Sequence, residues 1–207
     1  MRNTIYQSLH MGLDGNSNRS SKRTDVLHEN LVSQIKTLIP NFDELYEIMY
    51  ESKISDWYGG TFTIDILVLN KQTKEIYCCV LVKSIISSFN KNRQNYTNTT
   101  IGETLRVAGK HPNSKILFVT LCPNSCPTFD GKRNLKSIEK PNLINISKLD
   151  YPDNLSALKT NVFHSYIRYD IENVDYSTKN AFYESLTEES ITNIEDSTFI
   201  DYVTQIF

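Results

Sequence analysis

Asp65 and Lys83 are the residues of this chain whose types and setting point most directly to chemistry. Asp65 interrupts the run TFTIDILVL at residues 61–69, and Lys83 closes the run EIYCCVLVK at residues 75–83. Runs of this length, rich in β-branched and aromatic residues, are expected to form strands buried on both faces. A carboxylate inside such a strand is costly unless it is paired or holds a cation. An aspartate beside a lysine on one sheet face offers a hard oxygen ligand for a cation and an ammonium next to it. The plainer alternatives are a solvated aspartate on an edge strand, or an Asp65–Lys83 ion pair that only orders the sheet.

The link at residues 71–74 is polar and short enough for a hairpin. With Gln72-Thr73-Lys74 as a three-residue loop, the register sets Asp65 opposite Leu81. Side chains alternate along a strand, so Lys83 is expected on the face shared by Leu81 and Asp65.

The elements that must position this pair follow from periodicity. Residues 25–39 read as a helix capped by Thr24 or Asp25, with Val26, Leu27, Leu31, Ile35 and Leu38 as its apolar stripe and Pro40 as its stop. Glu29 lies off the centre of that stripe. Residues 42–51 are expected as a second short helix with Leu45, Ile48 and Met49 inward, and Asp56-Trp57-Tyr58-Gly59-Gly60 as a turn. Residues 84–100 are polar, amide-rich and basic. Residues 101–109 read as a helical turn or two carrying Glu103 and Arg106, broken by His111-Pro112-Asn113. Residues 115–121 read as a third buried strand, 123–140 as a Pro- and Lys-rich loop, 143–146 as a fourth strand and 151–157 as loop. Residues 162–169 form an aromatic segment, and 178–207 are expected to be helical, with Phe182, Leu186, Ile191 and Phe199 apolar. The order predicts an α/β fold with a mixed sheet.

Length and composition fit a single domain over residues 1–207, with residues 1–23 as a polar arm and 150–207 as an acidic C-terminal part. No stretch approaches the roughly 18–20 apolar residues of a membrane span, and the N-terminus lacks the apolar centre of a secretion signal, so a cytoplasmic location is expected. The four cysteines, Cys78, Cys79, Cys122 and Cys126, lack the spacing of a zinc framework and read as reduced, buried thiols. Net charge is −2, but residues 1–169 hold 21 of the 22 Lys and Arg against 15 of the 24 acids, whereas residues 170–207 hold nine acids and one lysine. A basic body suits a polyanion.

With a helix, an Asp-bearing strand, a Lys-bearing strand and a further helix in this order, the chain resembles the PD-(D/E)xK nuclease superfamily, which has the restriction-endonuclease-like fold. The residues that carry the resemblance are Ile64-Asp65 and Leu81-Val82-Lys83, and the segment KSIISSFNKNRQNYTNTTIGE at 83–103 looks like the stretch after the lysine in some type II restriction enzymes. The resemblance covers roughly residues 25–121. Ile64 stands where proline is common, and Leu81 stands where the second acid belongs.

The resemblance implies a mixed β-sheet flanked by helices and a Mg²⁺-dependent endonuclease that hydrolyses double-stranded DNA, most simply a type II restriction enzyme acting as a homodimer, with no nucleotide cofactor. Asp65 and Glu103 would hold the metal, Glu103 replacing the acid missing at Leu81. Lys83 would stabilise the attack, and Glu29 would assist. Asn90, Lys91, Asn92, Arg93, Gln94, Asn95 and Tyr96 are a dense set of groups suited to phosphates and base edges, and Lys132 and Arg133 form a second cationic segment. Rival expectations on the same fold are a non-catalytic DNA-binding subunit and a repair or junction nuclease. Off that fold, the rival is an interaction protein with no nucleic acid.

Overall fold

The computed structural model describes residues 1–11, 22–141 and 161–207, without the side chains of Lys22, Arg23, Asn92 and Arg93. Within the arm expected at 1–23, Arg2–His10 instead forms a helix with Ile5 and Leu9 buried, and residues 12–21, like the expected fourth strand at 143–146 and the loop at 151–157, lie outside the described residues. The two strands that carry Asp65 and Lys83 are present as β2 (Thr61–Asn70) and β3 (Ile76–Ser84), paired antiparallel. Their link differs from the one expected. Asn70 N–H donates to Glu75 O at 2.9 Å, so the loop holds the four residues 71–74. The Asn70 side chain accepts from Gln72 and Thr73 N–H, and Lys74 takes the left-handed conformation at φ 59°. A β-bulge between Val68 and Leu69 then shifts the register by one, so that Ile66 pairs with Val80 and Leu67 with Cys79. The bulge cancels the extra loop residue, but the ladder ends at Ile66–Val80, one residue short of the expected Asp65–Leu81 pair.

Residues 42–51 are not a helix. Only one turn, α3 (Phe42–Leu45), is helical, and β1 (Tyr46–Ser55) follows and pairs antiparallel with β2 from Tyr46–Asn70 to Ser55–Thr61. Leu45 and Met49 are exposed rather than inward. Strand pairing wins because the turn after Ser55 brings the segment back along β2, where its backbone groups find partners that a short isolated helix could not match in packing. Asp56 closes that turn by accepting from Tyr58 and Gly60 N–H at 3.0 and 2.8 Å, and Gly59 supplies φ 81°.

After β3, the polar segment and the expected helical turns form one helix, α4 (Phe89–Ala108), of 20 residues. Its length comes from its buried positions: Phe89, Thr100, Thr104, Val107 and Ala108, with Tyr96 partly buried between them, make a helical stripe that the many amides obscure. α4 is the crossover to β4 (Lys115–Pro123), which pairs parallel with β3. The segment expected as a loop at 123–140 is a hairpin, β5 (Cys126–Phe129) and β6 (Leu135–Glu139). The aromatic segment is β7 (Val162–Ile171), parallel to β4, and alternates between partly and fully buried positions along its whole length.

The C-terminal part is only partly helical. α5 (Lys179–Ser185) and a short 3₁₀ turn (Glu188–Ser190) precede β8 (Ile191–Glu195), which holds Ile191 and pairs antiparallel with β7, and α6 (Ser197–Ile206) ends the fold. The result is a six-stranded mixed sheet in the order β1-β2-β3-β4-β7-β8. One face packs against α1 (Arg2–His10), α2 (Lys22–Leu38) and α6 through Leu27, Leu31, Ile35, Val80, Val119 and Val203. The other packs against α4 through Ile64, Leu81, Val107 and Phe118. Phe199, Val203 and Ile206 of the acidic tail are buried within this core, and no described helix is long and apolar enough to cross a membrane.

His164 on β7 stacks on Phe118 with ring centroids 5.0 Å apart and planes 8° from parallel. Burial holds its pKa down to about 4. The unfolded chain, with an ordinary value near 6.5, binds a proton that the folded chain refuses as pH falls below about 6.5. Stability is therefore lost progressively between about pH 6.5 and pH 4, by up to about 3 kcal/mol. Urea unfolding across that range is expected to show this loss, and His164→Phe, which keeps the stack, is expected to flatten it.

Candidate active site

Asp65 sits where β2 leaves β3. The β2–β3 ladder ends at Ile66–Val80, while β2 stays paired with β1 as far as Thr61. Val82 N–H donates to Asp65 Oδ2 at 2.6 Å, so the side-chain carboxylate takes over a backbone acceptor's place in the ladder. Ile64 and Leu67 both lie in the cluster against α4, whereas Ile66 faces α2. The two-residue alternation therefore slips between Ile64 and Leu67, a change in the face expectation that frees Asp65 from simple same-face pairing with Leu81. On β1, Glu51 is the position skipped between the pairs Tyr50–Ile66 and Ser52–Ile64, and it holds φ 44°. A non-glycine residue in the left-handed region within a strand is held there by its surroundings.

Lys83 Nζ donates to Glu103 Oε1 at 2.6 Å, with the side chains 28% and 12% exposed. α4 thus returns Glu103 to the end of β3, although twenty residues separate it from Lys83. Burial raises the Glu103 pKa, the Lys83 ammonium opposes that rise, and the Asp65 charge adds to it. The second Glu103 oxygen, Oε2, is buried without a hydrogen-bond partner. Leu81 is itself 1% exposed and packed in the core, so no acid stands at that position. Asp65, Lys83 and Glu103 are therefore one electrostatic group.

Asp65 also faces a second set of groups. Its charge raises the pKa of Glu51, which burial has already lifted, and it opposes the burial-driven lowering of the His28 pKa. The ligand atoms of Asp25, His28 and Glu51 lie within 4.8 Å of one another. Glu29 is exposed and stands beside Tyr50, whose pKa it helps to raise, so it is not in this set. His28 and Glu51 escaped sequence reasoning. His28 was detectable as a polar residue four before Val32 and three before Leu31 on the buried stripe. Glu51 was concealed by the helical reading of its segment.

The candidate DNA contacts fall in two places. Asn90, Lys91, Gln94 and Asn95 are exposed on the first half of α4, where Asn90 N–H also donates to Glu139 Oε2 at 2.8 Å. Tyr96 packs partly buried against Phe89, Cys122 and Cys126 rather than standing free. The backbone of Asn92 and Arg93 lies in the same helix. Lys132 and Arg133 are exposed in the β5–β6 turn, which Asp130 organises by accepting from Lys132 and Asn134 N–H. Arg133 Nη1 lies 3.4 Å from Asn180 Oδ1, so that turn meets α5, and it is the base of the hairpin that meets α4. All four cysteines are buried and free, and burial pushes Cys79 and Cys126 up to about 12, which keeps these thiols protonated.

Comparison of the chain with known protein families, with curated proteins and with solved structures finds no match.

Proposed function

We propose that the protein is a Mg²⁺-dependent endonuclease of restriction-endonuclease-like fold that hydrolyses double-stranded DNA. The observation that carries the reading is the Lys83–Glu103 ion pair at the end of β3, with Asp65 bonded to the neighbouring Val82 N–H, beside the parallel β3–β4 pair and the crossover helix. Sheets of this kind bind ligands beyond the carboxyl ends of their parallel strands. The donor set suits a hard cation: two carboxylates, one of them with a buried oxygen lacking any partner. Asp65 and Glu103 would hold the ion, which when bound supplies charge stabilisation at phosphorus and a more acidic water.

The chain's own groups account for the rest. Glu103 holds the Lys83 ammonium in place, where it would act as a positioned donor toward a phosphate oxygen. The Val82 N–H bond fixes the Asp65 carboxylate, so little reordering is needed on binding. The exposed amide and lysine side chains of α4 begin on the same helix that carries Glu103, which sets a DNA contact surface next to the chemistry. A restriction-type homodimer would match a two-fold site. The test is incubation of the purified protein with plasmid and phage DNA and Mg²⁺. Discrete fragments with 5′-phosphate ends, lost on chelation, are the expected result. A salt-sensitive gel shift without cleavage in Mg²⁺ would instead favour a non-catalytic DNA-binding role.

A further inference from the structure

We infer that Asp25, His28 and Glu51 form a site for a first-row transition ion such as Mn²⁺ or Zn²⁺, separate from the Asp65–Glu103 pair and independent of the nuclease reading. Their three ligand atoms lie within 4.8 Å of one another. Ligands about 2.0–2.2 Å from a shared ion stand up to roughly 4.4 Å apart, so small side-chain rotations close the set. The second observation is His28 itself. It is 2% exposed, its Nε2 is buried without a hydrogen-bond partner, and its Nδ1 lies 3.7 Å from Glu51 Oε1, beyond hydrogen-bond reach. The buried ring thus turns its Nδ1 toward the Glu51 carboxylate at 3.7 Å, a ligand-to-ligand spacing that one shared ion spans.

A cation on Nδ1 would join the imidazole to the two carboxylates. One imidazole nitrogen with two carboxylate oxygens is a borderline donor set, which favours transition ions over Mg²⁺. Each ligand is held by a different constraint. Asp25 and His28 are three residues apart and so share a face of α2, and Glu51 is turned toward them by its left-handed backbone at the skipped ladder position. The ion would link α2 to β1 and place positive charge beside Asp65, whose own charge already acts on His28 and Glu51.

The test uses the full chain stripped with chelator and titrated with Mn²⁺, read by electron paramagnetic resonance. Wild type is expected to bind Mn²⁺ below millimolar concentration, and pulsed measurement is expected to show ¹⁴N coupling from one imidazole. Glu103→Gln should keep both signals, because the Asp65–Glu103 pair is a different site. His28→Gln should abolish the nitrogen coupling, and Glu51→Gln, a same-shape change on an edge strand, should weaken binding at least about tenfold. Circular dichroism of His28→Gln and Glu51→Gln checks that each variant folds. Wild-type Mn²⁺ bound without nitrogen coupling, no Mn²⁺ retained below millimolar, or unchanged affinity in Glu51→Gln would each overturn the inference. DNA cleavage is not read in this experiment, so its failure and that of the nuclease reading remain distinct.

Discussion

Under the proposed endonuclease function, Asp65→Asn is expected to lower Mg²⁺-dependent DNA cleavage by at least about 10³-fold while leaving the protein folded. The size follows from the several kcal/mol that a bound divalent ion supplies to a transition state, at about 1.4 kcal/mol per tenfold in rate. Asparagine keeps a side-chain oxygen for Val82 N–H, so the end of the β2–β3 ladder is preserved. It also removes a negative charge that disfavours ionised Glu103 and Glu51. Chemical unfolding should therefore shift by no more than about 1 kcal/mol. A variant that folds and still cuts at a tenth of the wild-type rate would remove Asp65 from the chemistry. Equal loss of stability and activity would show that the residue serves the sheet.

Lys83→Met is expected to carry the largest stability cost, about 2–3 kcal/mol in urea unfolding at neutral pH. Breaking one side of a buried ion pair typically costs about 3–5 kcal/mol, and the 28% exposure of Lys83 lowers that figure. The loss comes from Glu103, left inside the fold with neither oxygen partnered. Without the ammonium, the Glu103 pKa rises further, since Lys83 is the main influence holding it down. A carboxyl whose folded pKa is raised contributes stability below its unfolded value and loses it as pH rises through the folded one. The gap between Lys83→Met and wild type should therefore close as pH falls. Lys83→Met with Glu103→Leu should recover most of the stability, because the buried charge goes with its partner, but none of the cleavage. A single variant as stable as wild type at neutral pH would mean that Glu103 is solvated in solution.

What was legible in the sequence lay where local pattern and tertiary demand agreed. The runs around Asp65 and Lys83 are apolar and β-branched over their full length, and both became central strands because no other element could bury both of their faces. KILFVTL became β4 on the same grounds. The α2 stripe was readable from its spacing, and Pro40 marked its end within two residues. By contrast, Tyr46–Ser55 has apolar residues that fit either period, and only pairing with β2 decided it. The amides of α4 masked a helix whose buried positions are spread over five turns.

The candidate site divides along the same line. Asp65 and Lys83 were identifiable because a charge in an apolar strand stands out against its neighbours, and Glu103 because a crossover helix must return beside the sheet. The 2.6 Å contact between Lys83 and Glu103, the seat of Asp65 in the β3 ladder and the approach of His28 to Glu51 depend on things no local window contains. These are a bulge after Val68, a slip in alternation at Asp65 and a left-handed residue on the neighbouring strand. Composition and periodicity act over a few residues and determine which segments can be strands or helices. Distances between charges twenty or more residues apart are set by register and packing, which exist only once the sheet has formed.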